Sequence, residues 1–275
     1  MKKPIAIQGI KGSFHHEVVQ HYFNGEAEVV ECMTFDSVID TLLEEQTDEI
    51  VMALENSIAG SIIPNYALID NHNLSIVGEC YLDIQHSLMA LSNQSIEDIL
   101  EVHSHPMALL QCKVFFREYP HIKLVEAKDT ADVAKQISEQ NLKGIAAIAS
   151  KNAAALYGLN VLAESIQTIK HNETRFVIVR RENNHTDNAH INKASLKFEL
   201  DHKRGSLAAL LNVLSDCKLN LTKIQSLPKI DTPWKYAFFV DVTFTDYKDY
   251  DKAKSIIGLM AENFKILGEY KNARQ

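Results

Sequence analysis

Apolar and polar positions along the first two-thirds of the chain follow two periods. Short apolar runs at 4–8, 27–32 and 50–55 read as buried strands. Between them, Phe35, Val38, Ile39, Leu42 and Leu43 recur at helical spacing behind Thr34, which can cap that helix. Ser13 stands in the same way before a helix reaching Phe23. Further strands are predicted over 74–82, 87–91, 101–104, 123–126, 144–149 and 174–181. Helices are predicted over 106–119, 131–140 and 151–157, with Gly158 as the stop of the last. Strands alternating with helices imply an α/β domain with mostly parallel sheets. Ligands in such folds sit at the carboxyl ends of strands.

The pattern breaks between residues 180 and 193. Ile191 is the one large apolar side chain among those fourteen residues, too little to pack. Residues 182–193 therefore read as a linker between a domain at 1–181 and another at 194–275. The second domain runs strand 195–200, a helix opened by Gly205, strands 220–227 and 236–244, helix 250–264 and strand 265–270. This βαββαβ order is the ferredoxin-like arrangement. A domain of roughly 80 residues leaves a sheet face that a second copy of the chain could complete.

Charge narrows the partners. Lys plus Arg is 28 and Asp plus Glu is 36, a formal net charge of −8. No basic run exceeds two residues, which argues against nucleic acid. An acidic surface gives no long-range pull on an anion, so an anion site must be local. Cys32, Cys80, Cys112 and Cys217 form no C-x-x-C pair and read as free thiols of a reducing compartment. No stretch approaches the ~20 apolar residues of a membrane span. A cytoplasmic protein without membrane attachment is expected.

Several polar motifs lie where strands end. Gly9-Ile-Lys-Gly12-Ser13 joins a strand to a helix and fits either a plain tight turn or a backbone approach to a ligand. Glu55-Asn56-Ser57 ends a hydrophobic strand, as a helix cap or as part of a site. In Ser104-His105-Pro106, proline suits the first helical position, so Ser104 or His105 caps, and Gln111 follows on the second turn. Asp129-Thr130-Ala131 reads as a helix start. Thr174-Arg175-Phe176 opens an apolar strand, with Arg175 either a solvated charge or a carboxylate clamp. His16-Glu17 resembles the start of a zinc-protease H-E-x-x-H, but His21 comes one residue late and falls about 100° off the required face. His103 and His105, two apart, also fail as a helical ligand pair.

Taken in order, these segments resemble the prephenate dehydratase family. The resemblance rests on Glu55-Asn56-Ser57 with Gly60, on Ser104-His105-Pro106 with Gln111 and Cys112, and on Thr174-Arg175-Phe176. The run from Ala146 through Tyr157, Ile166 and Asn172 supports it. The tail resembles an ACT domain, with Gly205-Ser206-Leu207 at the family's Gly-Ala-Leu element and Gln225-Ser226-Leu227-Pro228 at its Glu-Ser-Arg-Pro element. His15, Met107, Asp129, Gln225 and Leu227 depart from the family pattern.

The resemblance implies two α/β lobes like a type 2 periplasmic binding protein, with the site in the cleft between them. It implies conversion of prephenate to phenylpyruvate, CO2 and water, with no metal or organic cofactor, in a homodimer or homotetramer. It assigns the leaving hydroxyl to Thr174. A threonine is a poor acid, so Glu55 and His105 stand as titratable groups behind it. Arg175 is expected on the pyruvyl carboxylate and Phe176 beside the ring. Ser13, Asn56, Ser57, Ser104, Gln111 and Thr130 are expected as neutral contacts. Phenylalanine is the expected effector, held between two ACT domains by Gly205, Ser206, Leu207, Asn220 and Leu221, with the 225–228 segment as a loop closing over it. Competing readings are an arogenate dehydratase and a non-catalytic solute or amino-acid sensor.

Overall fold

The computed structural model describes residues 3–25, 27–182, 188–201, 203–229 and 235–274. Residues 183–187 of the expected linker lie outside the described residues. The chain begins β1 (Ile5–Gln8), α1 (Phe14–Tyr22), β2 (Val29–Cys32), α2 (Phe35–Leu43), β3 (Glu49–Asn56), β4 (Gly60–Ser61) and α3 (Ile63–Asn71). It continues β5 (Ser75–Asp83), β6 (Ser87–Ala90), β7 (Glu101–Ser104), α4 (Pro106–Cys112), β8 (Lys123–Glu126), α5 (Thr130–Gln140), β9 (Ile145–Ala149), α6 (Lys151–Tyr157), β10 (Asn160–Ala163) and β11 (Glu173–Arg180). It ends β12 (Lys193–Glu199), α7 (Ser206–Asp216), β13 (Asn220–Pro228), β14 (Tyr236–Thr243), α8 (Tyr247–Met260) and β15 (Glu262–Tyr270).

Contacts divide the chain into two compact units, Met1–Gly60 with Tyr81–Phe176, and Ser61–Cys80 with Val177–Gln275. The first unit holds two lobes. In one, β2-β1-β3 run parallel. In the other the strand order is β10-β6-β9-β7-β8. There β7 is parallel to β8 and β9, while β6 runs antiparallel to β9 and β10. The expectation of mostly parallel sheets fails at β6, which enters without a crossover helix and so need not run with its neighbours.

Period-two alternation builds two cores on this second sheet. Leu88, Ala90, Ala146 and Ile148 face α4, while Met89, Ala147 and Ala149 face α5 and α6. Each fully buried Leu or Ile here stabilises by about 1.5–3 kcal/mol. The predicted helix 106–119 is shorter than expected, ending at Cys112, with a separate 3-10 turn at Phe115–Glu118.

The second unit carries β13-β14-β12-β15 in one sheet, with β5 beside β15. The order matches the ferredoxin-like arrangement. Leu196, Phe198, Val240 and Val242 pack under Leu210, Leu214, Tyr250, Ala253 and Ile257 of the two helices. The other face is polar, and the 61–80 segment answers it. Lys193 pairs with Glu79 at 2.7 Å, and Lys197 and Lys265 both pair with Asp70. At Gly268 a Cβ would lie 2.2 Å from the Ile76 carbonyl oxygen, so β5 and β15 meet where no side chain fits.

Two elements correct the sequence reading. Helix α3 was not expected: no side chain caps it, and it buries Asn65 along with Tyr66 and Ile69. Helix 250–264 is shifted to Tyr247–Met260, because Asp246 caps it and pairing with β12 extends β15 back to Glu262. All four cysteines are free. Among the described residues no helix is long and apolar enough to cross a membrane.

Candidate active site

In the first unit, the loop after β1 meets residues that follow β8 and β9. The Gly9–Ser13 turn lies between the lobes. Gly9 has φ +91°, and a Cβ there would meet Asp129 Oδ2 at 2.8 Å and Ser13 Oγ at 3.3 Å. Gly12 has φ +90°, and a Cβ there would come within 3.1 Å of Ala153 Cα in α6. Ser150 Oγ donates to the Gly12 carbonyl at 2.9 Å and Tyr157 OH to that of Lys11 at 2.6 Å. The glycines thus permit a lobe-to-lobe approach that any side chain would block.

The hydroxyl of Thr174 sits in a network. Asn56 Nδ2 donates to Thr174 Oγ1 at 2.9 Å and to Asn172 Oδ1 at 2.7 Å. Asn172 Nδ2 donates to Gln111 Oε1 at 2.9 Å, and His86 Nε2 lies 2.9 Å from the same oxygen. Ile58 and Ala59 N–H donate to Asn56 Oδ1. Ser57 is bound to β11, its N–H donating to the Glu173 carbonyl and its Oγ accepting from Glu173 N–H. The structure therefore gathers Asn56, Ser57, Gln111 and Thr174, three of them on separate elements.

Other expected residues stand elsewhere. Side chains alternate along a strand. Since Asn56 and Thr174 share one face, Glu55 and Arg175 lie on the opposite face of β3 and β11, and Arg175 is buried. Ser104 is fully buried and donates to the Ile148 carbonyl at 2.7 Å, which holds β7 to β9 rather than meeting a ligand. His105 is the N-cap of α4, its Nδ1 accepting from Met107 N–H at 3.2 Å. Ser13 caps α1, and Thr130 is half-buried in the first turn of α5. Phe176 packs edge-on against His15 at 5.0 Å.

Three residues were missed as site groups. His86 hides in a short polar stretch between two strands, and Asn172 was read only as part of a family run. A hint for Asn172 was its place two residues before Thr174, where the period of two would carry it to the same side just ahead of β11. Asp129 caps α5, accepting from Asp132 N–H at 2.9 Å, in keeping with the helix start expected there. Yet its second oxygen faces Gly9 across the cleft, and burial pushes its carboxyl above the usual range. Burial also pushes the His15 imidazole down to about 3, so that ring is neutral, and His86 is lowered by the same cause.

The second unit holds a cavity of about 190 Å³. Asp201, Lys203 and Lys235 supply both signs of charge, and Leu207, Tyr236 and Phe238 an apolar wall, with Ser206 at the helix start. The 225–228 segment is not a loop: it is edge strand, laddered to β14 from Gln225↔Phe239 to Pro228↔Tyr236. Gly205 and Asn220 stand at opposite ends of α7, whose eleven residues span roughly 16 Å.

Two α/β lobes around a cleft lined by strand ends and helix caps, with a ferredoxin-like tail, define a class of two-lobed α/β folds with an appended small domain. The prephenate dehydratase family model matches residues 5–184. The arogenate dehydratase/prephenate dehydratase 2 of Arabidopsis thaliana is 37% identical over 86% of this chain and 64% of that protein. The bifunctional chorismate mutase/prephenate dehydratase of Escherichia coli K12 is 30% identical over 97% of this chain and 70% of that one. Among solved structures, GqqA, described as a novel type of quorum quenching acylase, aligns with a TM-score of 0.87 at 26% identity, covering 99% of this chain and 100% of its own. The prephenate dehydratase of Arthrobacter aurescens, solved in complex with L-Phe, aligns at 0.88 and 23% identity, covering 98% and 90%. The chain belongs to the prephenate dehydratase family. It spans 64% and 56% of the length of two plant relatives that it matches.

Proposed function

We propose that the chain catalyses the decarboxylating dehydration of prephenate to phenylpyruvate, CO2 and water, without metal or organic cofactor. The observation that carries this reading is the bond from Asn56 Nδ2 into Thr174 Oγ1. The threonine oxygen accepts on one side, so its own proton is directed to the other, toward a leaving group. As the ring carboxylate departs as CO2, its bonding electrons enter the ring and expel the hydroxyl at the opposite carbon, which takes up a proton and leaves as water. Aromatisation drives the step, so the protein has chiefly to orient the substrate and assist the hydroxyl. His105 remains a titratable group at the end of β7. The acylase activity ascribed to GqqA is the competing reading, and prephenate turnover by purified protein separates the two. No aromatic product from prephenate or arogenate sinks the proposal.

A second substrate, arogenate, is favoured by Asp129. A buried carboxylate facing Gly9 would answer the ammonium that arogenate carries in place of the ketone. Two plant relatives bear arogenate dehydratase in their names. Asp129→Asn separates the readings: it should lower kcat/KM for arogenate by about tenfold or more and leave prephenate nearly unchanged.

The proposed layout is a catalytic domain at 1–181, a linker at 182–193 and an ACT regulatory domain at 194–275, in a cytoplasmic homodimer or homotetramer. Phenylalanine fits the 190 Å³ cavity by its chemistry, with Asp201 for the ammonium, Lys203 or Lys235 for the carboxylate and Phe238 for the ring. Gly205 and Asn220 are too far apart within one chain to hold one small molecule, so a shared effector site needs a second copy.

A further inference from the structure

Three amides in the first unit have forced orientations, and the sequence of constraints ends on a histidine. The N–H groups of Ile58 and Ala59 point at one side-chain atom of Asn56, at 3.0 and 2.8 Å, so that atom is the oxygen. The opposite NH2 meets Asn172 at 2.7 Å, and Asn172 must present its oxygen there. The Asn172 NH2 then faces Gln111 at 2.9 Å, which must present Oε1. His86 Nε2 lies 2.9 Å from that same oxygen. An amide oxygen cannot donate, so His86 carries its proton on Nε2. Its Nδ1 is then a bare lone pair, buried and without a hydrogen-bond partner among the described residues. Burial holds the ring neutral, and Phe14 packs edge-on against it at 5.7 Å.

The same logic turns Gln111 outward. Its Oε1 is held from two sides, and among the described residues no acceptor takes either N–H of its amide. Gln111 is half-buried on α4. We propose that His86 is a positioning residue: its Nε2–H locks the Gln111 amide so that both N–H groups meet an anionic oxygen of the substrate. The proposal rests on the dehydratase reading above. One donor, from Asn172, would leave the amide free to swing, and two donors on one oxygen fix it. His86 does not itself touch the substrate in this role, so its loss acts on binding and not on the leaving group.

In kinetics on prephenate, His86→Leu should raise KM about tenfold with kcat within about twofold. His86→Gln keeps an N–H donor near the Nε2 position and should restore KM toward wild type. In a Gln111→Leu background, His86→Leu should add nothing further. A wild-type KM in His86→Leu, no rescue by glutamine, or additive effects in the double variant overturns the proposal. Histidine ¹⁵N NMR of the substrate-free protein reads the tautomer directly: a neutral ring protonated on Nε2 is expected, and one protonated on Nδ1 overturns it. This readout needs no turnover. A wild type inactive on both prephenate and arogenate therefore removes the proposed function, while the tautomer still decides the place of His86.

Discussion

A hydroxyl oxygen that accepts from one neighbour sends its own proton elsewhere, and Thr174 stands in that position beneath Asn56. Thr174→Ala should therefore lower kcat by about 10²-fold or more with KM little changed, since the lost bond strengthens as the hydroxyl leaves. Thr174→Ser, which keeps the hydroxyl, should retain most turnover. Steady-state kinetics on prephenate checks both, and a near-normal kcat in the alanine variant would remove Thr174 from the chemistry. Arg175, the expected carboxylate clamp, is buried next to Thr174 in sequence. Arg175→Ala removes a buried side chain with its contacts and should lower stability by about 1–3 kcal/mol, measured by denaturant unfolding. A raised KM with unchanged stability would return Arg175 to the substrate carboxylate.

At the scale of elements, the helices that border the cleft were legible because their caps are written locally. Ser13, Thr34, Asp129 and Ser150 each accept from an N–H of the first turn, as their residue types predict. The residue before a helix can also carry a second task, and the cap reading hid that of Asp129. Its folded carboxyl titrates above the unfolded one, so folding binds the proton more readily. Its contribution to stability is present at low pH and is lost as pH rises through the folded value. Asp129→Asn still caps, and it should raise the melting temperature at neutral or alkaline pH by about 2–4 °C for each ~1 kcal/mol, with the gain fading in acid. Calorimetry across pH measures it, and a gain that persists in acid would point to packing instead. His15 works in the other direction. Its folded value is depressed to about 3, so its neutral burial supports the fold above the ordinary histidine range. That support is lost as pH falls toward 3, by up to about 1.4 kcal/mol per unit. His15→Leu should flatten the acid limb of the stability curve; an unchanged limb would show that other groups, His86 among them, carry it.

Over the whole molecule, the effector question depends on copies of the chain. If phenylalanine binds between two ferredoxin-like sheets, calorimetry should show binding, and Asn220→Ala should weaken it while leaving uninhibited turnover near wild type. Coupling of about 1–3 kcal/mol would then change activity several-fold or more. No heat and no inhibition at millimolar phenylalanine would leave the domain structural or tuned to another ligand.

What the sequence by itself determined was local or periodic. The strands β7 and β8 and the helix α6 fall at the predicted residues, because apolar period and capping chemistry need only a few neighbours. The ferredoxin-like order of the tail was legible for the same reason. The motifs also marked the strand ends where Asn56, Gln111 and Thr174 would meet. Only the tertiary structure decided which side chains share a face, because one residue's shift along a strand reverses its direction. That joined His86 and Asn172 through Gln111 and Asn56 to the residue that holds the hydroxyl. Helix α3 lay beyond the sequence as well: its buried Asn65 and uncapped start suit a surface supplied by residues more than a hundred positions away, where Asp70 meets Lys197 and Lys265. Long-range pairing supplies there what local propensity does not, and no window along the chain contains it.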